Sequence, residues 1–117
     1  MILLFLAATA ATSCANAQTQ ADMNRCAGQD YARADGAMNR QWKTTYPYMK
    51  NRDARGGSFA AQLLDSQRAW LKYRDAQCII AGAEFEGGSL QPMAVAQCRA
   101  RLTDLRTKEL QTLVWQR

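Results

Sequence analysis

The clearest hydrophobic pattern in the chain lies in residues 58–81, and its centre reads LLDSQRAWLKYRDAQC at residues 63–78. At about 100° per residue, the apolar side chains of this stretch gather on one side of a helix. Gln67 and Arg74 fall in the middle of that same side. The pattern therefore predicts an amphipathic helix that turns two polar groups toward the core. The apolar stripe consists of Ala60, Leu63, Leu64, Trp70, Leu71 and Cys78.

An arginine on the buried side of a helix loses its water, so it is stable there only if other groups satisfy the guanidinium. We expect Arg74 to form a buried ion pair, with Asp35 as first candidate acceptor and Glu109 as second. Trp70 is expected in the core, whereas Tyr73 lies well off the stripe and is the better candidate for an exposed partner contact. The expected polar core consists of Asp35, Gln67, Arg74, Arg106 and Glu109.

A first helix is predicted before this central one. Thr19-Gln20-Ala21-Asp22 resembles a capping box, and the helix is expected to end at about Tyr46 because Pro47 cannot continue it cleanly. Residues 47–57 then form a connection that ends in two glycines, with Ser58 as a good N-cap for the central helix. The predicted apolar side of the first helix holds Met23, Ala27, Ala34, Met38 and Trp42.

A third helix is predicted after the central one. Gly82 and the glycines at 87–88 are expected to end the central helix, Ser89 can cap the next, and Pro92 suits its first turn. Three amphipathic helices joined by short loops predict an all-α fold, an antiparallel bundle of three main helices. The predicted stripe of the third helix holds Val95, Cys98, Leu102, Leu105 and Leu113, with Arg106 and Glu109 inside it.

The four cysteines are expected to form two structural disulfides. Cys78 near the end of the central helix and Cys98 early in the third would lie close together, and Cys14–Cys26 would tie the polar lead segment to the first helix. Metal binding is not expected, because the chain has no histidine and no paired cysteines at zinc-site spacing. No cofactor is expected either.

Residues 1–13, MILLFLAATAATS, contain no charged side chain and are typical of a secretory signal. Their apolar run of roughly ten residues is too short to cross a bilayer as a helix. Because the usual basic segment before that run is missing, we expect the natural start to lie a few codons upstream. The helical domain is then residues 14–117, in a periplasmic or secreted protein without a transmembrane span.

The cleavage position has three alternatives. Ala15-Asn16-Ala17 fits the small-residue rule and would remove Cys14, whereas cleavage near residues 10–13 would keep it. Lipidation of Cys14 is the third alternative, although Ala11-Thr12-Ser13 is a poor lead-in for it. We favour cleavage before Cys14, because an exported domain then keeps four cysteines rather than three.

The net charge of +5, from 15 basic and 10 acidic side chains, favours anionic surfaces or acidic clefts as partners. Four basic residues of the first helix lie within about 80° of each other, opposite the apolar side. They suit anionic envelope polymers, although such a face is often only solvated. No nucleic-acid partner is expected. These basic residues are Arg25, Arg33, Arg40 and Lys43.

Catalysis is not expected. Without histidine, neither a Ser-His nor a Cys-His arrangement can form. Glu84 and Glu86 could imitate the acid pair of a glycosidase, but a small bundle offers little substrate cleft. The sequence therefore predicts a protein that acts by binding.

Several motifs together resemble the LprI-like lysozyme-inhibitor family. They are SCANAQTQADMNRCA, YARADGAMN, QRAWLKYRDAQC, GGS and the late pattern C-x₄-T-x₂-R-x₃-L, formed here by Cys98, Thr103, Arg106 and Leu110. They follow the family's order from Cys14 to about Leu113. One departure is Met38-Asn39, where the family has leucine before the asparagine. The family is described as small, exported, helical and disulfide-bonded, with lysozyme inhibition reported for its namesake.

The resemblance implies a non-enzymatic envelope binding protein that inhibits lysozyme-type muramidases by occupying the cleft where a carboxylate pair does the chemistry. The alternative is a periplasmic adaptor or an anionic-surface binding module with no hydrolase target. Exposed loops often carry recognition, although the glycines and serine of EFEGGS also suit a helix boundary. The candidate partner contacts are Tyr73, Glu84, Glu86, Gly87, Gly88 and Ser89.

Overall fold

The computed structural model describes residues 13–114, which form three α-helices and one short 3₁₀ segment at Cys14–Asn16. The helices are α1 (Gln20–Asp53), α2 (Phe59–Ala83) and α3 (Gln91–Thr112). α2 runs antiparallel to both neighbours, so α1 and α3 run in the same direction and pack extensively against each other. The predicted all-α bundle of three helices, stapled by disulfides, is thus confirmed.

The predicted export signal lies almost entirely outside the described residues. The predicted signal peptide covers residues 1–13, of which 1–12 are not among the described residues. Within residues 13–114, no helix is long and apolar enough to span a bilayer.

α1 begins where the sequence predicts but continues past its predicted end. The Thr19 hydroxyl accepts a hydrogen bond from the Asp22 amide at 3.1 Å, which caps the helix. The expected end at Tyr46 is wrong, because the helix passes through Pro47 and ends at Asp53.

Packing on both sides of the proline explains the longer helix. Before it, buried Thr45 donates its hydroxyl to the carbonyl of Leu110 on α3 at 3.0 Å. After it, Met49 is buried in the core cluster. A proline inside a helix removes one backbone hydrogen bond, and these tertiary contacts outweigh that loss.

A carboxylate closes the turn between α1 and α2. Asp53 accepts hydrogen bonds from the amides of Phe59 at 2.6 Å and Ala60 at 3.1 Å. Ser58 occupies the N-cap position, but its hydroxyl makes no capping hydrogen bond, so the capping role expected for it is wrong. The glycines at 56–57 have φ of 101° and 128°, which side chains rarely tolerate, and they allow the chain to reverse.

α2 extends beyond its predicted end near Ala81, because Gly82 does not break the helix. Gly82 is buried, and a Cβ added there would lie 2.5 Å from Cγ2 of Val95 on α3. Its missing side chain therefore allows α2 and α3 to approach closely.

α3 starts at Gln91 with Pro92 in its first turn, as predicted. Leu90 occupies the N-cap position, so the expected cap at Ser89 is wrong. The Ser89 carbonyl instead accepts a hydrogen bond from the side-chain amide of Asn24 at 2.9 Å, which ties this loop to α1.

Both predicted disulfides are confirmed. Cys14–Cys26 links the 3₁₀ segment to α1 with a Cα–Cα distance of 5.6 Å. Cys78–Cys98 links α2 to α3 at 5.4 Å, and both of its cysteines are buried. The two cross-links therefore lie toward the same end of the bundle, away from the α1–α2 turn.

The stripe predicted for α3 is partly wrong. Leu105 is 49% exposed and Glu109 is exposed, whereas Thr103 and Leu110 are fully buried. α3 packs against both neighbours, so its buried arc is wider than one leucine stripe and reaches the side that faces α1. The central core cluster consists of Met38, Met49, Ala60, Leu63 and Leu110.

Candidate interaction surfaces

Arg74 lies in the interior with only 6% of its surface exposed. Its Nε donates to Asp75 at 3.0 Å, and one terminal nitrogen lies 3.6 Å from a carboxylate oxygen of Asp35. The same nitrogen donates to the hydroxyl of buried Thr103 at 3.4 Å. Both carboxylates are half-exposed, so the guanidinium is buried while its acceptors keep contact with water.

Arg106 forms a second polar cluster beside the first. Its Nε donates to the side-chain oxygen of Gln67 at 2.9 Å, and its terminal nitrogens donate to Ser66 and Glu109, each at 3.0 Å. The suggestion that Glu109 could be the acceptor for Arg74 is therefore wrong, because Glu109 pairs with the arginine one helical turn before it.

Trp70 joins the two clusters. The guanidinium carbons of Arg74 and Arg106 lie 5.3 Å and 5.8 Å from the centroid of its ring. Arg74 also lies 5.3 Å from the ring of Tyr31, so two aromatic rings flank it. Cation–π contacts of this kind stabilise a desolvated guanidinium. The buried members of the two clusters hold α2 against its neighbours.

A different set of α2 side chains faces solvent. Tyr73 is 53% exposed, Ile79 64% and Ile80 66%. Tyr73 and Ile80 are separated by two helical turns and so share one face. Ile79 lies about 100° around the helix from Ile80. Exposed apolar side chains often mark an interaction site, and the exposure expected for Tyr73 is confirmed.

Ile79 and Ile80 were not identified from the sequence. At about 100° per residue, they are displaced by about 100° and 200° from Cys78, which lies on the buried side. This displacement from the buried side is the sequence signal for their exposure, because isoleucines away from the core stripe face water.

The loop after α2 continues this surface with acidic side chains. Glu84 and Glu86 are exposed, and neither forms an ion pair within residues 13–114. Gly87 has φ of 77°, and its amide donates to the side chain of Gln91 at 3.3 Å. A Cβ on Gly88 would lie 3.2 Å from the carbonyl oxygen of Phe85. The glycines thus set the backbone conformation of the loop, and its two glutamates supply exposed negative charge.

We call the exposed side chains at the end of α2 and in the loop after it the α2-end surface. This surface contains an aromatic ring, two isoleucines and two carboxylates. The charged side chains of residues 75–98 are all acidic. Asp75 is paired with Arg74 and Arg99, so Glu84 and Glu86 supply the negative charge of this segment that is left unpaired among the described residues. No group of three or more metal-ligating side chains occurs within residues 13–114. The α2-end surface consists of Tyr73, Ile79, Ile80, Glu84 and Glu86.

The basic side of α1 is neutralised in its first half. Arg25 lies 3.6 Å from a carboxylate oxygen of Asp22. Arg33 bridges Asp30 at 2.8 Å and Asp104 of α3 at 2.9 Å. The hydrogen bond to Asp104, followed by that to Asp30, raises the pKa of Arg33 above its ordinary value. The charges of these two arginines are therefore paired with carboxylates of the protein itself.

Comparison with known proteins identifies the family. The model of the family described as Lysozyme inhibitor LprI matches residues 11–110. Uncharacterized protein R02472 of Rhizobium meliloti (strain 1021) is 42% identical over 108 residues, a match that covers 86% of this chain and 78% of the relative. No solved structure matches significantly. Since the family match spans nearly all of the described helical domain, the chain belongs to the lysozyme inhibitor LprI family.

Proposed function

We propose that this protein is a non-enzymatic, exported inhibitor of lysozyme-type muramidases and that it binds them through the α2-end surface. The observation that carries the proposal is the family match over residues 11–110. Muramidases cleave glycans with a carboxylate pair in an open cleft. A protein that covers this cleft blocks access of the polymer without needing any chemistry of its own.

The α2-end surface has the composition of a protein-binding site. Tyr73 supplies a large, rigid side chain of the type that dominates binding energy at interfaces. Ile80 adds apolar area on the same face, and Ile79 adds it at the side of that face. The buried Cys78–Cys98 disulfide and the close packing at Gly82 hold this end of α2 in place. A preformed surface loses little conformational entropy when a partner binds.

The net positive charge disfavours a basic partner, but the local charge at the α2-end surface favours one. A net charge of +5 repels a basic animal lysozyme at long range. The loop after α2 nevertheless exposes Glu84 and Glu86, and neither forms an ion pair within residues 13–114. Glu84 and Glu86 would face the basic rim of the enzyme, and the basic end of the inhibitor would point away. Such an orientation favours productive encounters. Tyr73 and the isoleucines would then lie at the cleft of the enzyme.

A cell-wall clearing assay with oxidised mature protein tests the proposal. We expect basic lysozymes to be inhibited, with complete inhibition at about one inhibitor per enzyme, because an inhibitor of this kind is not turned over. Combining Tyr73→Ala with Ile80→Ser should weaken inhibition at least about tenfold, as expected for interface anchors.

A matched control combines Ala61→Ser with Gln62→Ala, two exposed positions at the other end of α2. This variant should inhibit like the parent protein. If no lysozyme is slowed at micromolar inhibitor, the proposed function is wrong. If the parent inhibits and both variants inhibit equally well, the function holds but the assignment of the α2-end surface is wrong.

A further inference from the structure

The outward face of α1 changes character halfway along the helix. Arg40, Lys43 and Lys50 are exposed and form no ion pair with any carboxylate within residues 13–114. At about 100° per residue they lie within about 80° of each other, and at 1.5 Å per residue they span about 15 Å of the helix axis. Exposed Arg55 follows in the turn. We call Arg40, Lys43 and Lys50 the basic strip.

The acidic residues of this region do not neutralise the basic strip. Residues 37–72 contain seven basic and only two acidic side chains. Of those two, Asp53 is engaged with the first amides of α2, and Asp65 is on α2. On α3, Glu109 is held by Arg106. The first half of α1 is different, because each arginine there has a carboxylate partner.

The helix that carries the basic strip is held rigidly. Thr45 and Met49 are buried on its inner side. The rings of Trp42 and Tyr46 stack with centroids 5.2 Å apart, and the ammonium of Lys50 lies 5.3 Å from the centroid of the Tyr46 ring. The backbone positions of the three cations are therefore set by the packing of α1, which lowers the conformational entropy that a ligand must remove when it binds.

We propose that the basic strip is a docking site for a linear anionic polysaccharide of the cell envelope. A row of unpaired cations along one helix matches charges repeated along a flexible chain, and displacement of counterions from such a chain favours binding. A membrane surface fits less well, because the exposed large hydrophobic side chains of residues 13–114 lie on α2 and α3 and not on this strip. Insertion into a bilayer would require such side chains.

The proposal goes beyond the inhibitory function and uses a different surface. Tyr73 and the loop at 84–88 belong to the end of α2 that is cross-linked to α3, while Lys50 and Arg55 lie beside the α1–α2 turn. One molecule can therefore hold a wall polymer at one end and a hydrolase at the other. The inhibitor would then be concentrated on the polymer that muramidases approach.

The test measures binding of full-length oxidised protein to fluorescently labelled polygalacturonate, a linear polysaccharide with one carboxylate per sugar, with neutral dextran as control. We expect binding to polygalacturonate that weakens steeply with salt. The variant Arg40→Gln/Lys43→Gln/Lys50→Gln should bind at least about tenfold more weakly, and its salt slope should fall by about two, since three cations are removed.

A variant of equal net charge separates the strip from a general charge effect. Arg68→Gln/Lys72→Gln/Arg101→Gln removes three exposed cations from α2 and α3 and should change affinity by less than about threefold. Both variants should melt like the parent and inhibit lysozyme equally well.

Three outcomes would overturn the proposal. The first is a parent protein that binds dextran as well as polygalacturonate. The second is an equal loss of affinity in the two variants, which would indicate net charge alone. The third is stronger competition by anionic vesicles of phosphatidylglycerol than by the polysaccharide, which would indicate a membrane ligand. None of these results bears on inhibition through the α2-end surface, so failure of one proposal is distinguishable from failure of the other.

Discussion

The two ends of the bundle are held together by different means. Near the α2–α3 loop, two disulfides and the buried Gly82 bring the helices together. At the opposite end there is no covalent link within the described residues, and the Asp53 cap joins α1 to α2. The cross-linked end exposes the carboxylates of Glu84 and Glu86, which form no ion pair in the part of the chain that the structure describes, and the other end carries the basic strip. The disulfides therefore cross-link the end that we assign to the hydrolase.

The largest effect is expected inside the cross-linked half. Arg74→Ala should lower the free energy of unfolding by about 3 kcal/mol, at the low end for a broken buried ion pair because both carboxylates still reach water. Urea denaturation of the oxidised protein measures this. A variant that unfolds at the same urea concentration as the parent would show that the buried cluster does not stabilise α2.

The disulfides should differ from each other. Replacing Cys78 and Cys98 by serine opens a loop of 20 residues and should cost about 3 kcal/mol. Replacing Cys14 and Cys26 should cost less, because the exposed 3₁₀ segment is then released while the three helices stay packed. Thermal melting of both double variants checks this order, and a larger loss at Cys14 and Cys26 would reverse our view of which cross-link fixes the bundle.

The smallest effect is expected at the turn. Asp53→Ala should cost about 1 kcal/mol, typical of a lost helix cap, whereas Ser58→Ala should cost almost nothing since its hydroxyl makes no capping bond. Equilibrium unfolding of the two variants compares them directly. If the serine variant is the less stable, the cap belongs to Ser58 and the turn has been assigned to the wrong residue.

Much of the fold could be predicted from the pattern of side chains. The stripe of α2, its buried Gln67 and Arg74 and both disulfides follow from helical periodicity and cysteine spacing. Periodicity alone could not show that packing at Thr45 and Met49 carries α1 through Pro47. It also could not show that α3 buries an arc wide enough to include Thr103 and Leu110.

The candidate surfaces were less accessible to sequence reasoning. The sequence predicts partner contacts at Tyr73 and the two loop glutamates. It does not single out Ile79 and Ile80, because they lie off the apolar stripe on which the helix prediction rests. The residues of the basic strip form no ion pair with a carboxylate within residues 13–114, and the sequence alone does not show this. Such pairing is set by the packing of α3 against α1, as with Asp104 and Arg33, and no local pattern reveals it.

The most direct test is hydrogen–deuterium exchange of the oxidised protein, alone and bound to an inhibited basic lysozyme. Our account predicts added protection at residues 73–90, where the α2-end surface lies, and unchanged exchange at residues 40–55. Protection confined to residues 40–55, or none at 73–90 in a complex that forms and inhibits, would contradict the claim that the acidic, cross-linked end is the one that binds the hydrolase.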